Sequence, residues 1–289
     1  MKFAIPPPFF AKHLARATIT AAIILSMAAM AAEESTIGII AQPPKPLAVN
    51  VYTYHDTPPY FSEPLNYDAQ PKADNLSFAQ QGFYPEFIRL LNNSQNRYRL
   101  TLKHQPRKRL QLQLQQNALN GPVIGVNPIW FQDKKRTQYL WSTAFMNDRD
   151  VFVLSSGSTL SHQNLEDFIG ITFALPRGYY FKGITELARQ GDISLIETSS
   201  DLQNLKLVQY GRAQVTIISK PTVTYFKRTL FQNYSFRELE RPHDRFTRHW
   251  MFPLSQKTLF NELSAEIYKT SQSKHWQDYL SSLDAEPVP

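Results

Sequence analysis

Seven histidines, at positions 13, 55, 104, 162, 243, 249 and 275, are the side chains best suited to hold a metal or move a proton near neutral pH. They are scattered. None forms an i,i+4 pair and there is no His-Glu-x-x-His stretch, so no helical zinc motif is written into the chain. The absence of cysteine removes disulfides, thiolate metal sites, iron–sulfur clusters and a cysteine nucleophile. No Gly-x-Ser-x-Gly elbow presents a serine nucleophile. Neither Gly-x-Gly-x-x-Gly nor a P-loop occurs, and ten glycines leave little material for a phosphate cradle. No cofactor and no metal are expected, and catalysis from a compact local motif is not supported. What remains is non-covalent recognition by residues gathered from distant parts of the chain.

Such residues need a scaffold, and the apolar pattern supplies one. Leu47–Tyr54 has the Val and aromatic content of a buried strand, ended by His55-Asp56-Thr57-Pro58-Pro59. Polar residues 62–81 read as a surface loop. Phe83, Phe87, Leu90 and Leu91 share one helical face, with Pro85 tolerated in the first turn. A strand is expected at 97–103, and 110–114 alternates like a strand in a gap the size of a helix. Pro122–Val126 reads as a strand. The second half continues with strands at 171–175, 193–196 and 213–218. Helices follow Gly178, Ser199-Ser200-Asp201 and Pro221, and two more amphipathic helices lie near 257–269 and 273–283. Strands alternating with helices argue an α/β architecture with largely parallel sheets.

The 289 residues allow two lobes, and 42% hydrophobic content can fill their cores. The formal charge is +7. Lys2, Lys12 and Arg16 precede an apolar run, Ala17–Ala32, with Ala29-Met30-Ala31 as a small-x-small exit. A cleavable signal peptide over 1–31 is therefore expected, cut after Ala31, followed by a proline-rich linker over 32–46. Loss of those three cations lowers the excess to +4. With no basic run interleaved with aromatics, nucleic acid is not an expected partner.

Five segments in order resemble the family 3 extracellular solute-binding proteins, which include the periplasmic amino-acid-binding components of ABC transporters. They are Val51-Tyr-Thr-Tyr54 with Pro58-Pro59-Tyr60-Phe61; Gly82-Phe-x-x-Glu86-Phe-Ile; and Gln132-Asp-Lys-Lys135 with Tyr139-Leu-Trp-Ser142-x-x-Phe145. Asn164–Gly178 and Leu205–Pro221 complete the series. The resemblance covers about residues 47–283. It implies two α/β lobes joined by a hinge crossed twice, near 147–150 and 241–249. Lobe one would comprise 47–149 plus 243–289, and lobe two 150–242. It also implies a monomer that captures a small solute in the interlobe cleft and presents it to an inner-membrane permease or receptor.

The resemblance places Tyr54, Tyr60 and Trp130 at the lobe-one rim. Lys135, with Arg136 beside it, stands where the family's carboxylate-binding Arg belongs, and a lysine offers a point charge in place of a fork. Ser219 replaces the Asp that holds an α-ammonium, and Arg177 lies before a helix N-terminus. A cationic cleft without that Asp is expected to take an acid-bearing solute with an apolar portion. Binding without catalysis is expected. The alternatives are a ligand-sensing module of a membrane receptor and a periplasmic dehydratase-like enzyme, in which Glu86 or Asp56 would have to serve as the acid.

Overall fold

The computed structural model describes residues 45–61, 82–161 and 164–288. The signal peptide, most of the linker and the 62–81 loop lie outside them. Ten strands form one continuous sheet in the order β2-β1-β3-β10-β5-β8-β6-β7, with β4 and β9 attached at its sides. The first half contains β1 (Leu47–Thr53), β2 (Tyr98–His104), β3 (Val123–Val126) and β4 (Leu140–Trp141). The second contains β6 (Thr172–Pro176), β7 (Ser194–Thr198), β8 (Val215–Ser219) and β9 (Phe236–Glu238). The parallel pairs β1/β2, β1/β3, β6/β7 and β6/β8 need crossovers. Helices supply most of them: α1 (Phe83–Ser94), α2 (Arg107–Gln115), α3 (Ile184–Gln190) and α4 (Asp201–Gln209). After β8 come α5 (Lys220–Thr229) and, beyond β10, α6 (Lys257–Ser271) and α7 (Lys274–Ser281).

Two long strands join the halves. β5 (Met146–Ser155) and β10 (Asp244–Phe252) pair antiparallel over 146–150 and 244–248. β10 then continues against β3, and β5 against β8. The sequence reading treats these segments as hinge crossings and does not predict strands there. They are strands because their apolar residues, all but the half-buried Phe246, find a buried face. Val151 and Val153 enter the cluster with Leu205, Val208, Val223 and Phe226. Phe152 and Leu154 enter the opposite one with Phe168, Phe173 and Ile217. A strand buried on both sides cannot show polar alternation.

In the first half, α1, α6 and α7 pack on one face through Phe83, Phe87, Ile267 and Trp276, around Trp250 and Phe145. Leu110 and Leu114 of α2, Phe131 and Trp141 cover the other face. The ambiguous 110–114 segment is thus helical, and those two leucines, four residues apart, point inward together.

Candidate functional site

Strand parity defines one face of the joining ribbon. Asp148 pairs with Phe246 and Asp150 with Asp244, so these four and Arg248 project from the same side. Arg248 is 3% exposed. Its Nε donates to Asp148 Oδ2 at 2.7 Å. Its Nη1 donates to the Gly125 carbonyl at 2.8 Å and to the Tyr84 hydroxyl at 3.2 Å, and lies 3.1 Å from His55 Nε2. The guanidinium carbon sits 4.2 Å from the Tyr60 ring centroid, 5.2 Å from Phe246 and 5.4 Å from Trp130. Its Nη2 has no hydrogen-bond partner among the described residues, yet it is not a sealed, unsatisfied atom. His55, Trp130 and Phe246 around it are half-buried. A guanidinium in this setting offers one free donor edge beside accessible aromatic faces.

Gly125 makes the close approach possible. Its φ is 83°, and a Cβ there would meet the Tyr84 hydroxyl oxygen at 2.0 Å. The Tyr60 hydroxyl donates to Asp148 Oδ2 at 2.5 Å, and burial followed by Asp148 raises its pKa well above the ordinary value. Burial, then the positive charge of Arg248, holds His55 well below its usual range, so it is a neutral ring at pH 7.

Carboxylates complete the surroundings. Burial, then the neighbouring Asp148, pushes Asp150 up to about 8. At the start of α4, burial followed by Asp56 pushes Asp201 up to about 7. Tyr179 is 52% exposed, but its hydroxyl end is desolvated and feels Tyr54, Asp201 and Asp56; its pKa rises. Asp56 and Tyr54 belong to the first half, Asp201 and Tyr179 to the second. The two halves therefore face each other here, and a direct bond joins them: Thr222 Oγ1 donates to the Pro58 carbonyl at 2.9 Å.

No family model and no curated protein sequence matches the chain. Solved structures do. The probable amino-acid ABC transporter extracellular-binding protein ytmK of Bacillus subtilis superposes with a TM-score of 0.59 at 16% identity, over 83% of this chain and 97% of that one. An ancestral arginine-binding protein bound to arginine gives 0.60 at 11% identity, over 82% and 98%. The BvgS periplasmic domain of B. pertussis gives 0.58 at 15% identity, over 82% of this chain and 42% of that chain. The chain has the fold of the two-lobed periplasmic binding proteins.

Within that binding-protein fold the expected site residues separate into two groups. Tyr54, Tyr60 and Trp130 come together around His55 and Arg248, with Arg107 stacked 5.1 Å from the Tyr54 ring and bonded to the Trp130 carbonyl. Trp130 does not end a strand. It lies in a 3-10 turn, Pro128–Phe131, opened by the Asn127 side chain accepting from the Ile129 N–H. Ser219 is half-buried at the end of β8, and its hydroxyl donates to Thr222 Oγ1 at 2.8 Å.

Lys135, Arg136 and Arg177 do not join this cluster. Lys135 and Arg136 are exposed, in a turn organised from inside by Asp133. That carboxylate accepts from the Thr137, Gln138 and Tyr139 N–H groups and the Trp141 indole. Desolvation alone would raise Asp133, but the indole and backbone donors win and lower it. Arg177 is exposed and pairs loosely with Glu197 at 3.9 Å. The cation at the cluster is instead Arg248, which the sequence reading missed. The alternation Arg245-Phe246-Thr247-Arg248 was its only signal, and nothing in it marks which arginine is buried. Asp150 and Asp201 add carboxylates nearby, Asp150 beside Asp148 and Asp201 beside Asp56. Glu86 is engaged by Arg89 at 2.7 Å and His275 at 2.6 Å.

Proposed function

We propose that the protein is a periplasmic solute-binding protein that captures a small acid-bearing organic solute between its lobes and presents it to an ABC-type permease. Lobe one is 47–149 plus 243–289 and lobe two is 150–242. The observation that carries this reading is the free Nη2 of Arg248, on the joining strand β10 and held among the half-buried rings of His55, Trp130 and Phe246. Asp148 at Nε, the Gly125 carbonyl at Nη1 and the Tyr60 ring against its face hold the guanidinium and aim it. An acid group accepts from Nη2, and a flat or apolar portion lies against Trp130 and Phe246. Asp150 and Asp201, raised to about 8 and about 7, gain by ionising against an amine and suit it or another donor. They restore the ammonium partner that Ser219 does not provide, so amino-acid-like solutes come within the range of ligands. The amino-acid ABC transporter protein and the arginine-binding protein that share the fold support this class of ligand.

Mass spectrometry of ligand retained through native purification identifies the solute, and calorimetry then measures its affinity. Arg248→Lys keeps the charge and loses the free edge; binding should weaken about tenfold to hundredfold, the size of one charge-assisted contact. Lys135→Ala and Arg136→Ala should bind as the parent does. Unchanged affinity in Arg248→Lys would refute this assignment. Export rests on the signal peptide, and N-terminal sequencing from the native host should find the chain starting at Ala32.

A further inference from the structure

We propose that the segment 282–288 is a strap that ties lobe two to the back of the joining strands and biases the molecule toward the arrangement seen here. The argument rests on the reading above only in requiring that the lobes move. Parity places Asn147, Arg149 and Arg245 on the face of the β5/β10 ribbon opposite Asp148 and Arg248. The segment bridges Asn147 antiparallel along the edge of β5 that β8 leaves unpaired, so the Glu286 side chain shares that opposite face. The Asn147 N–H donates to the Glu286 carbonyl at 2.9 Å, and its side chain donates to the Pro287 carbonyl at 2.8 Å. The Glu286 carboxylate pairs with Arg149, from β5, and with Arg245, from β10, at 3.3 Å. One carboxylate thus spans both joining strands.

The same segment also holds lobe two. Thr224 Oγ1 donates to Asp284 Oδ2 at 2.7 Å and Arg228 Nη1 to the Ser282 carbonyl at 2.5 Å, both from α5. Lys220 adds a longer ion pair to Asp284 at 3.9 Å. Its root is firm, because Ala285 is buried in the lobe-one core with Trp276 and Leu280. The turn that redirects the chain has Asp284 at φ 57°. Residues anchored in lobe one therefore grip α5 of lobe two, a third link beside the two joining strands. Rotation of α5 relative to lobe one stretches these bonds, and their number favours the orientation in which all are made.

The chain has no cysteine, so Lys103→Cys and Arg212→Cys, both on exposed positions of opposite lobes, accept a clean pair of spin labels. Electron–electron distance measurements on this labelled protein should show one dominant separation. Asp284→Ala with Glu286→Ala should lower the ratio of that separation to all others by about three- to tenfold, the effect of a few partly exposed polar contacts. Thr224→Val, which cuts the grip from the lobe-two side, should shift it in the same direction. Asp278→Ala breaks only the pair with Lys274 inside α7 and should leave the distribution unchanged. Thr222→Val removes the cleft-side bond to Pro58 and reports lobe motion independently. If it broadens the distribution while the strap variants do not, the strap is refuted and the moving lobes stand. Equal shifts in Asp278→Ala also refute the strap. If neither the strap variants nor Thr222→Val moves the distribution, both the strap and the closing cleft are refuted.

Discussion

Arg248 and Asp148 form a pair in which both side chains are nearly sealed, 4% and 0% exposed. Breaking such a pair leaves a charge buried without its partner, which typically costs about 3–5 kcal/mol. Arg248→Ala should therefore lose about that much stability in urea unfolding, whereas Lys135→Ala and Arg136→Ala, on an exposed turn, should stay within about 0.5 kcal/mol of the parent. Arg245 and Arg248 both lie on β10, and composition treats them alike. Only the parity of β10 distinguishes them, and parity becomes readable once a strand is assigned there. Tyr60 and Trp130 were named from the resemblance alone; the structure sets both rings beside the Arg248 guanidinium, Trp130 from a 3-10 turn and not from a strand end. Asp150 makes a separate prediction. Its carboxyl is raised to about 8, while in the unfolded chain it titrates near its ordinary value. Below pH 4 both states hold the proton and the group imposes no penalty. Above that, the unfolded state ionises first, so stability falls as pH rises and the loss is complete above pH 8. Asp150→Asn cannot ionise. Its melting temperature relative to the parent should climb steadily from pH 4 to pH 8, and a constant difference would remove the assigned shift.

Elements that alternate with helices were read correctly from periodicity, because a half-buried helix such as α1 repeats its apolar residues every three to four positions. β5 and β10 were not. Val151, Phe152, Val153 and Leu154 form an unbroken apolar run, and such a run has no period until both covering layers are known. The same principle explains α2, whose leucines at 110, 112 and 114 imitate a strand while only 110 and 114 are buried. Two element-scale changes test how these pieces hold the site. Trp276 of α7 is fully buried, with its indole donating to the Phe145 carbonyl at 2.7 Å. Trp276→Ala should cost about 3–5 kcal/mol through the cavity and the lost bond. It should also free the segment beyond α7, visible as faster amide exchange at Ala285. Gly125→Ala acts on β3. A side chain there is strained at positive φ and collides with Tyr84, so about 2–4 kcal/mol should be lost. Because the Gly125 carbonyl receives Arg248, solute affinity should fall as well, which a purely structural glycine elsewhere in the sheet would not cause.

At the scale of the whole molecule, the joining ribbon turns Asp148 and Arg248 to one face and the arginine partners of Glu286 to the other. Asp148, Asp150, Phe246 and Arg248 project from the first face, and Asn147, Arg149 and Arg245 from the second, where Glu286 meets the two arginines. Any bend of the two strands therefore changes both sets of contacts together. The lobes face each other closely here, through the Thr222–Pro58 bond and through the charge of Asp56, which adds to burial in raising Asp201. Two carboxylates brought together resist ionising, which opposes closure as pH rises. A solute carrying an amine would favour the ionised pair and so release protons on binding below about pH 7, where Asp201 still holds its proton in part. Affinity for such a solute should then increase between pH 5 and pH 8, and calorimetry in buffers of different ionisation enthalpy should detect the released protons. Small-angle scattering supplies the conformational half of the test. The radius of gyration of ligand-free protein should decrease on saturation with the identified solute, and more at pH 8 than at pH 5. A solute that binds without proton release, with an unchanged radius at both pH values, would mean that the acidic residues of the two lobes are not brought together by binding.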